Sequence, residues 1–163
     1  MSEAALGFVP RIGISPPHGF GTKNHAMLVT ESRTILLPWR TSEVFLRPWF
    51  DWGVIKAGAA ALSQGAFKPE TWERTSGAVV IQHEAMTRLA CGRTANTYFL
   101  AIEFRSGQRV KRLSGFVIPS GAYLRRNKDN GVPSSQSSLT YALDMGTAIR
   151  SIAPLALVLD WRV

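Results

Sequence analysis

Few residues in this chain have the type and spacing that chemistry requires. Its three histidines are His18, His25 and His83. His18 and His25 stand seven apart around a loop with no cysteine or carboxylate at ligand spacing, so they make a poor metal site. His83-Glu84 matches the first half of a zinc-protease helix motif, but position 87, where the second histidine would stand, holds Thr87. No metal or cofactor is expected. Cys91 would be a nucleophile only with a base beside it, and a lone cysteine in an apolar strand is usually packing. Gly19 to Asn24 has glycines and a lysine, as phosphate loops do, yet it lacks the P-loop spacing and a clear following helix. Glu84 and Glu103 can meet across strands, as any two strand acids can, and no acid–base assignment follows. These residues do not compose an active site, so the reading is a binding module and not an enzyme.

Charge is the stronger signal. The net charge of +8 divides into +1 over residues 1–87 and +7 over residues 88–163. Charge of one sign concentrated on part of a surface favours an anionic partner by raising encounter rate and local affinity. Arg105, Arg109, Lys111 and Arg112 surround a predicted hairpin tip, and Arg125, Arg126 and Lys128 open a polar stretch. Arg109 and Lys111 share strand parity and so project to one side. Converging, these cations would contact several phosphates, each adding a salt-dependent increment. The alternative is a solvated basic face. Phe116 and Tyr123 nearby serve either as base-stacking platforms or as core.

A second candidate surface is aromatic. Pro48 suits the first turn of a helix, and Trp49, Phe50, Trp52, Ile55, Ala59 and Leu62 follow before Gly65, which predicts a helix at about 48–63. Trp49, Phe50 and Trp52 face the core, or else contact a protein partner, a second copy of the chain or a membrane interface. The weakly polar stretch from Trp49 to Leu62 is too short to cross a bilayer, so no transmembrane segment is expected.

The remaining elements must position these groups. The 163 residues, 45% of them apolar, suit one domain with a substantial core. A single cysteine rules out an intramolecular disulfide, and the first residues lack signal-peptide order. A cytoplasmic protein, peripheral to a membrane or ribosome if it binds one, is the expectation. A strand is predicted over Leu6–Ile14. A hairpin follows from Ala26–Val29 and Thr34–Leu37 around Thr30–Arg33, ended by Pro38. Phe67–Gly77 reads as a connector and Ala78–Ile81 and Met86–Cys91 as strands. Asn96–Arg105 and Gln108–Pro119 read as a hairpin about Ser106-Gly107. Residues 125–138 have no apolar period and read as a long polar loop. A helix capped by Ser137 or Ser138 follows, with Leu139, Ala142, Leu143, Gly146 and Ile149 on one face, then a terminal strand from Leu155 to Trp161.

In this order the elements resemble a known family. Ala26–Leu37, with its Leu-Val-Thr-x-x-Arg hairpin, is similar to that of pleckstrin-homology-like domains of the GRAM and bacterial PH type. Ile81–Leu89 resembles the family's next strand pair about a short polar turn, and Tyr98–Val110 its following hairpin. The helix from Ser138 would close one end of the barrel. The resemblance spans roughly residues 6–153 and rests on element order more than identity. It implies an α+β fold: an antiparallel sheet or partly open β-barrel with a C-terminal helix, here with a helical insertion at about 41–77 and the polar loop at 125–138. It also implies a non-enzymatic domain. The combined expectation is a binding or adaptor domain that docks RNA, the ribosome or an acidic lipid surface through its basic residues. The alternative is a protein-interaction or oligomerisation module built on the aromatic helix.

Overall fold

The computed structural model describes residues 3–15, 23–40, 55–56, 67–94, 97–117, 121–141 and 159–162, with backbone alone at 10, 55–56, 91–94, 97–100, 116–117, 122 and 159–162. Within these residues the chain folds as an α+β structure on one sheet. Its strands are β1 (Ala5–Ser15), β2 (Lys23–Thr30), β3 (Arg33–Pro38), β4 (Ile55–Lys56), β5 (Val79–Gln82), β6 (Met86–Thr94), β7 (Thr97–Ser106), β8 (Arg109–Val117) and β9 (Leu159–Arg162). They lie in the order β5-β3-β2-β1-β8-β7-β6-β9, and β4 pairs with β1 off this path. All pairings are antiparallel except β6 with β9. The order is open, ending on β5 and β9, and no described pairing closes it into a barrel.

β1 joins the two halves of the sheet. Its second half pairs with both β2 and β8, through Ile12↔His25 and Ile12↔Val117. A register shift between Val9 and Ile12 marks a bulge at Pro10-Arg11. Proline has no N–H for a ladder, and bulges are where a strand accepts one. The two backbone groups of Arg11 turn instead to Tyr141. Its hydroxyl accepts the Arg11 N–H and donates to the Arg11 carbonyl, each at 3.1 Å.

The strands β1, β2 and β3 are buried on both faces, and the edge strand β5 is partly buried on both. Val9, Met27, Val29, Leu36 and Ile81 pack with Met86, Leu89, Ile102, Phe104, Tyr123 and Tyr141 from the second half. Phe8, Ala26, Leu28, Ile35 and Leu37 pack instead against Phe67 and Trp72. Strands covered on both sides must be apolar without alternation, which is why residues 26–29 and 34–37 read as continuous runs.

Four predicted elements need correction. In the expected helix at 48–63, Ile55 and Lys56 are extended and pair with Phe8 and Gly7. β8 reaches only as far along β1 as Ile12, which leaves an edge at Gly7-Phe8 for β4 to fill, and that pairing overrides the helical period. The rest of that prediction, including Trp49, Phe50 and Trp52, lies outside the described residues. The connector at 67–77 contains a short helix, α1 (Pro69–Glu73), which carries Trp72 onto the sheet.

The polar loop at 125–138 is largely helical. α2 (Gly121–Asp129) ends at Asn130, and the backbone is helical again over 134–141. Gly131 adopts φ 81°, the Val132 N–H donates to the Asn127 carbonyl (2.8 Å) and the Gly131 N–H to that of Lys128 (2.9 Å). This is the left-handed cap that satisfies the last carbonyls of a helix. Tyr123 and Leu124 anchor α2 in the core, so one apolar patch suffices where the sequence shows no period. Ser137 is therefore a buried interior residue of the next helix and not its cap. β5 and β6, read together as a strand pair, are separated by a 3₁₀ turn, His83–Ala85, and pair with β3 and β7 respectively.

Candidate functional site

The β7–β8 hairpin turns through Gly107-Gln108, one residue later than the sequence suggests, with Ser106 opposite Arg109. Gly107 sits at φ 63° with open space where a Cβ would stand, so the backbone conformation and not crowding requires glycine. The base of the hairpin is fixed because Ile102 and Phe104 enter the main core and Leu113 packs against it. Beyond them the hairpin extends into solvent. Arg105, Arg109, Lys111 and Arg112 are all exposed, and Val110 is the one large exposed hydrophobic side chain among the described residues, 63% accessible.

Register sorts these cations by face. Lys111 lies opposite the core residue Phe104, and Arg109 opposite Ser106, so this pair continues the core side of the hairpin. The parity expectation for Arg109 and Lys111 therefore holds. Arg112 lies opposite Glu103 and Val110 opposite Arg105, on the side turned away from the core. The cluster read as one patch is divided between two faces.

The outward face gains a member that the sequence did not single out. Arg88 of β6 pairs with Glu103, which places Arg88, Glu103 and Arg112 in one row across three strands. Glu103 Oε1 lies 3.8 Å from Arg88 Nη1 and 3.9 Å from Arg112 Nε. Both separations exceed hydrogen-bonding distance, so this is charge proximity between partly exposed groups. Arg88 was legible as a charge, but its place in the row depends on a register shift between Met86 and Arg88.

The second basic group lies on a helix. Arg125, Arg126 and Lys128 are exposed on α2, with the Arg126 guanidinium 5.8 Å from the Tyr123 ring centre. Tyr123 is buried edge-on against Tyr141 at 5.5 Å, so it is core and not a stacking platform. α2 follows the end of β8 that lies eight residues, about 26 Å of extended strand, from the Gly107 turn.

The histidines described here have structural partners. The buried His83 spans the β2–β3 turn, its Nδ1 3.1 Å from the Glu31 carbonyl and its Nε2 3.0 Å from the Thr34 hydroxyl. Burial holds its pKa below the ordinary value, against the opposing pull of the Glu31 carbonyl and the Glu3 charge. Burial likewise lowers His25, whose Nδ1 lies 2.9 Å from the Lys23 carbonyl. Glu84 is exposed on the 3₁₀ turn, whereas Glu103 faces Arg88 and Arg112. Among the described residues, no group of three or more His, Cys, Asp or Glu side chains is placed to hold a metal. The Cys91 side chain, His18 and residues 19–22 of the glycine-bearing segment lie outside what is described, whereas Lys23 and Asn24 open β2.

A separate ionic cluster ties the N-terminal segment to the sheet. Glu3 accepts hydrogen bonds from the Thr30 hydroxyl (2.7 Å) and the Ser32 N–H (2.6 Å) and pairs with Arg33 at 3.1 Å. Arg33 also reaches Glu73 of α1 at 3.0 Å. Burial raises the Glu3 pKa, but the hydrogen bonds and the Arg33 charge outweigh it and leave it below the ordinary value.

No family model and no curated protein matches the chain. Among solved structures, the hSac2 domain from human phosphoinositide phosphatase Sac2 aligns at 7% identity with a TM-score of 0.44, covering 100% of this chain and 78% of that one. At that score the likeness carries neither fold nor function across. No helix among the described residues is long and apolar enough to cross a membrane.

Proposed function

We propose that this chain is a non-enzymatic pleckstrin-homology-like binding domain that docks an anionic partner through the β7–β8 hairpin. The observation that carries the reading is the exposure of Arg105, Arg109, Lys111 and Arg112 together about the Gly107 turn, on a hairpin whose base is locked in the core. Cations held on a rigid scaffold lose less entropy on binding than cations on a mobile loop. The fold reading is supported by the strand order: a four-stranded group β5-β3-β2-β1 meets a three-stranded group β8-β7-β6 along a shared β1, with α2 and the helical residues 134–141 contributing Tyr123 and Tyr141 to the core between them. The resemblance seen in the sequence implies an antiparallel sheet with a helix packed against it.

The test is recovery of the protein from its own cells at low and high salt, followed by binding to the polyanion that travels with it. Replacing Arg105, Arg109, Lys111 and Arg112 by glutamine should abolish that binding, and the logarithm of wild-type affinity should fall linearly with that of salt concentration. Affinity that ignores salt, or that survives the fourfold replacement, would overturn the reading.

A further inference from the structure

The two faces of the β7–β8 hairpin differ in composition, and the difference distinguishes the anionic partners each would suit. The core-side face offers Arg109 and Lys111 near the tip. The outward face offers Arg88, Arg105 and Arg112 with Val110 among them, spread over three strands, and none of its described cations is a lysine. Protein interfaces are enriched in arginine and depleted in lysine, and they place apolar contact beside the charge. Arginine's planar fork also matches a carboxylate in two hydrogen bonds, which a lysine cannot do. Glu103 shows that this face accommodates a carboxylate, its Oε1 standing within 3.9 Å of both Arg88 and Arg112. A nucleic acid strand would look for stacking surfaces. The described aromatic side chains nearest in the core, Phe104, Tyr123 and Tyr141, are buried instead. A bilayer met tip-first would use Arg109 and Lys111 as much as Arg105 and Arg112.

We infer that the outward face of β6, β7 and β8 docks an acidic segment of a partner protein, with Arg88, Arg105 and Arg112 taking its carboxylates and Val110 its apolar contact. In the unbound protein Glu103 supplies one of those carboxylates itself, which makes it an internal competitor. The inference rests on the hairpin being the docking element and adds to that reading both the face and the partner.

The experiment uses the full chain and three probes at equal charge: a peptide alternating glutamate and leucine, oligouridylate, and vesicles containing anionic phospholipid. The peptide should bind tightest. Arg88→Gln and Arg112→Gln should each weaken it about tenfold, as truncating an interface arginine does, whereas the double replacement Arg109→Gln and Lys111→Gln should change it less than either. Glu103→Gln should tighten it about threefold, consistent with loss of a weak exposed ion pair, and misfolding cannot mimic a gain. Tighter binding of oligouridylate or vesicles, or an Arg88→Gln affinity equal to wild type, overturns the inference and leaves the hairpin reading in place. Binding of none of the three overturns both.

Discussion

The Tyr141 hydroxyl replaces the sheet for Arg11, taking its N–H and its carbonyl at 3.1 Å each where β1 bulges. One side chain, 130 positions along the chain, therefore satisfies both polar groups of a strand residue at the junction of the sheet's two halves. Tyr141→Phe keeps the ring against Tyr123 and removes only the oxygen. Leaving these part-buried backbone groups without the phenol costs at most about 1–3 kcal/mol, the value for fully buried groups, so the denaturant midpoint should fall with an unchanged slope.

The same phenol predicts an alkaline limb. Burial foremost, with the Arg11 backbone hydrogen bond acting against it, pushes the Tyr141 pKa well above its ordinary value of 10. The folded state then holds the proton more tightly than the unfolded state. Its stabilising contribution is intact below pH 10 and is lost as pH rises beyond it. Chemical denaturation of wild type and Tyr141→Phe across that range should show the limb in wild type and its reduction in the variant.

On the acid side the order of events follows from three depressed groups. His83 and His25 are lowered from 6.5 and Glu3 from 4.5. Each contributes stability that is present above its ordinary value and lost as pH falls below it. Stability should begin to decline below about pH 6.5 and fall further below about pH 4.5. His83→Gln, measured against wild type by urea denaturation, should reduce the first decline and leave the part due to His25, and Glu3→Gln should reduce the second.

The segment before β5 is part of the fold by virtue of Trp72. Its ring meets Phe8 edge-on at 5.9 Å, beside Phe67 at 5.0 Å from the same phenylalanine, and it is fully buried on the side of the sheet away from the main core. Trp72→Ala should cost about 3–5 kcal/mol, the usual range for an emptied aromatic site. A loss under 1 kcal/mol by chemical denaturation would show that α1 can leave the sheet without consequence.

Legibility in the sequence followed how local each decision was. The β2–β3 hairpin could be read because its apolar runs, its polar turn and Pro38 lie within one short stretch. α2 could not be read by period, because among its described side chains Tyr123 and Leu124 alone tie it to the core, although Gly131 followed by Pro133 carried the signal of a helix end. Ile55-Lys56 was misread as helix because the edge they fill belongs to β1, nearly fifty residues away. The basic residues of the hairpin were visible as charges. Their division between two faces, and the admission of Arg88 to one of them, came from cross-strand register, which no single strand displays.

Gly107 connects that register to binding. At φ 63° it occupies the left-handed region, which costs an ordinary side chain about 1–2 kcal/mol, whereas asparagine visits it with less penalty. No neighbouring atom stands within 4 Å of a Cβ added there, so any effect of substitution is conformational and not steric. Gly107→Ala should therefore destabilise the domain by about 1 kcal/mol, and Gly107→Val by more, because β-branching resists a positive φ. Gly107→Asn should stay close to wild type. If the cations act from a fixed hairpin, affinity for the anionic partner should fall in that same order, valine below alanine below asparagine, when measured by titration calorimetry at constant salt. Equal affinity in all three would mean that the hairpin cations bind without the turn's geometry, as a charge cloud would.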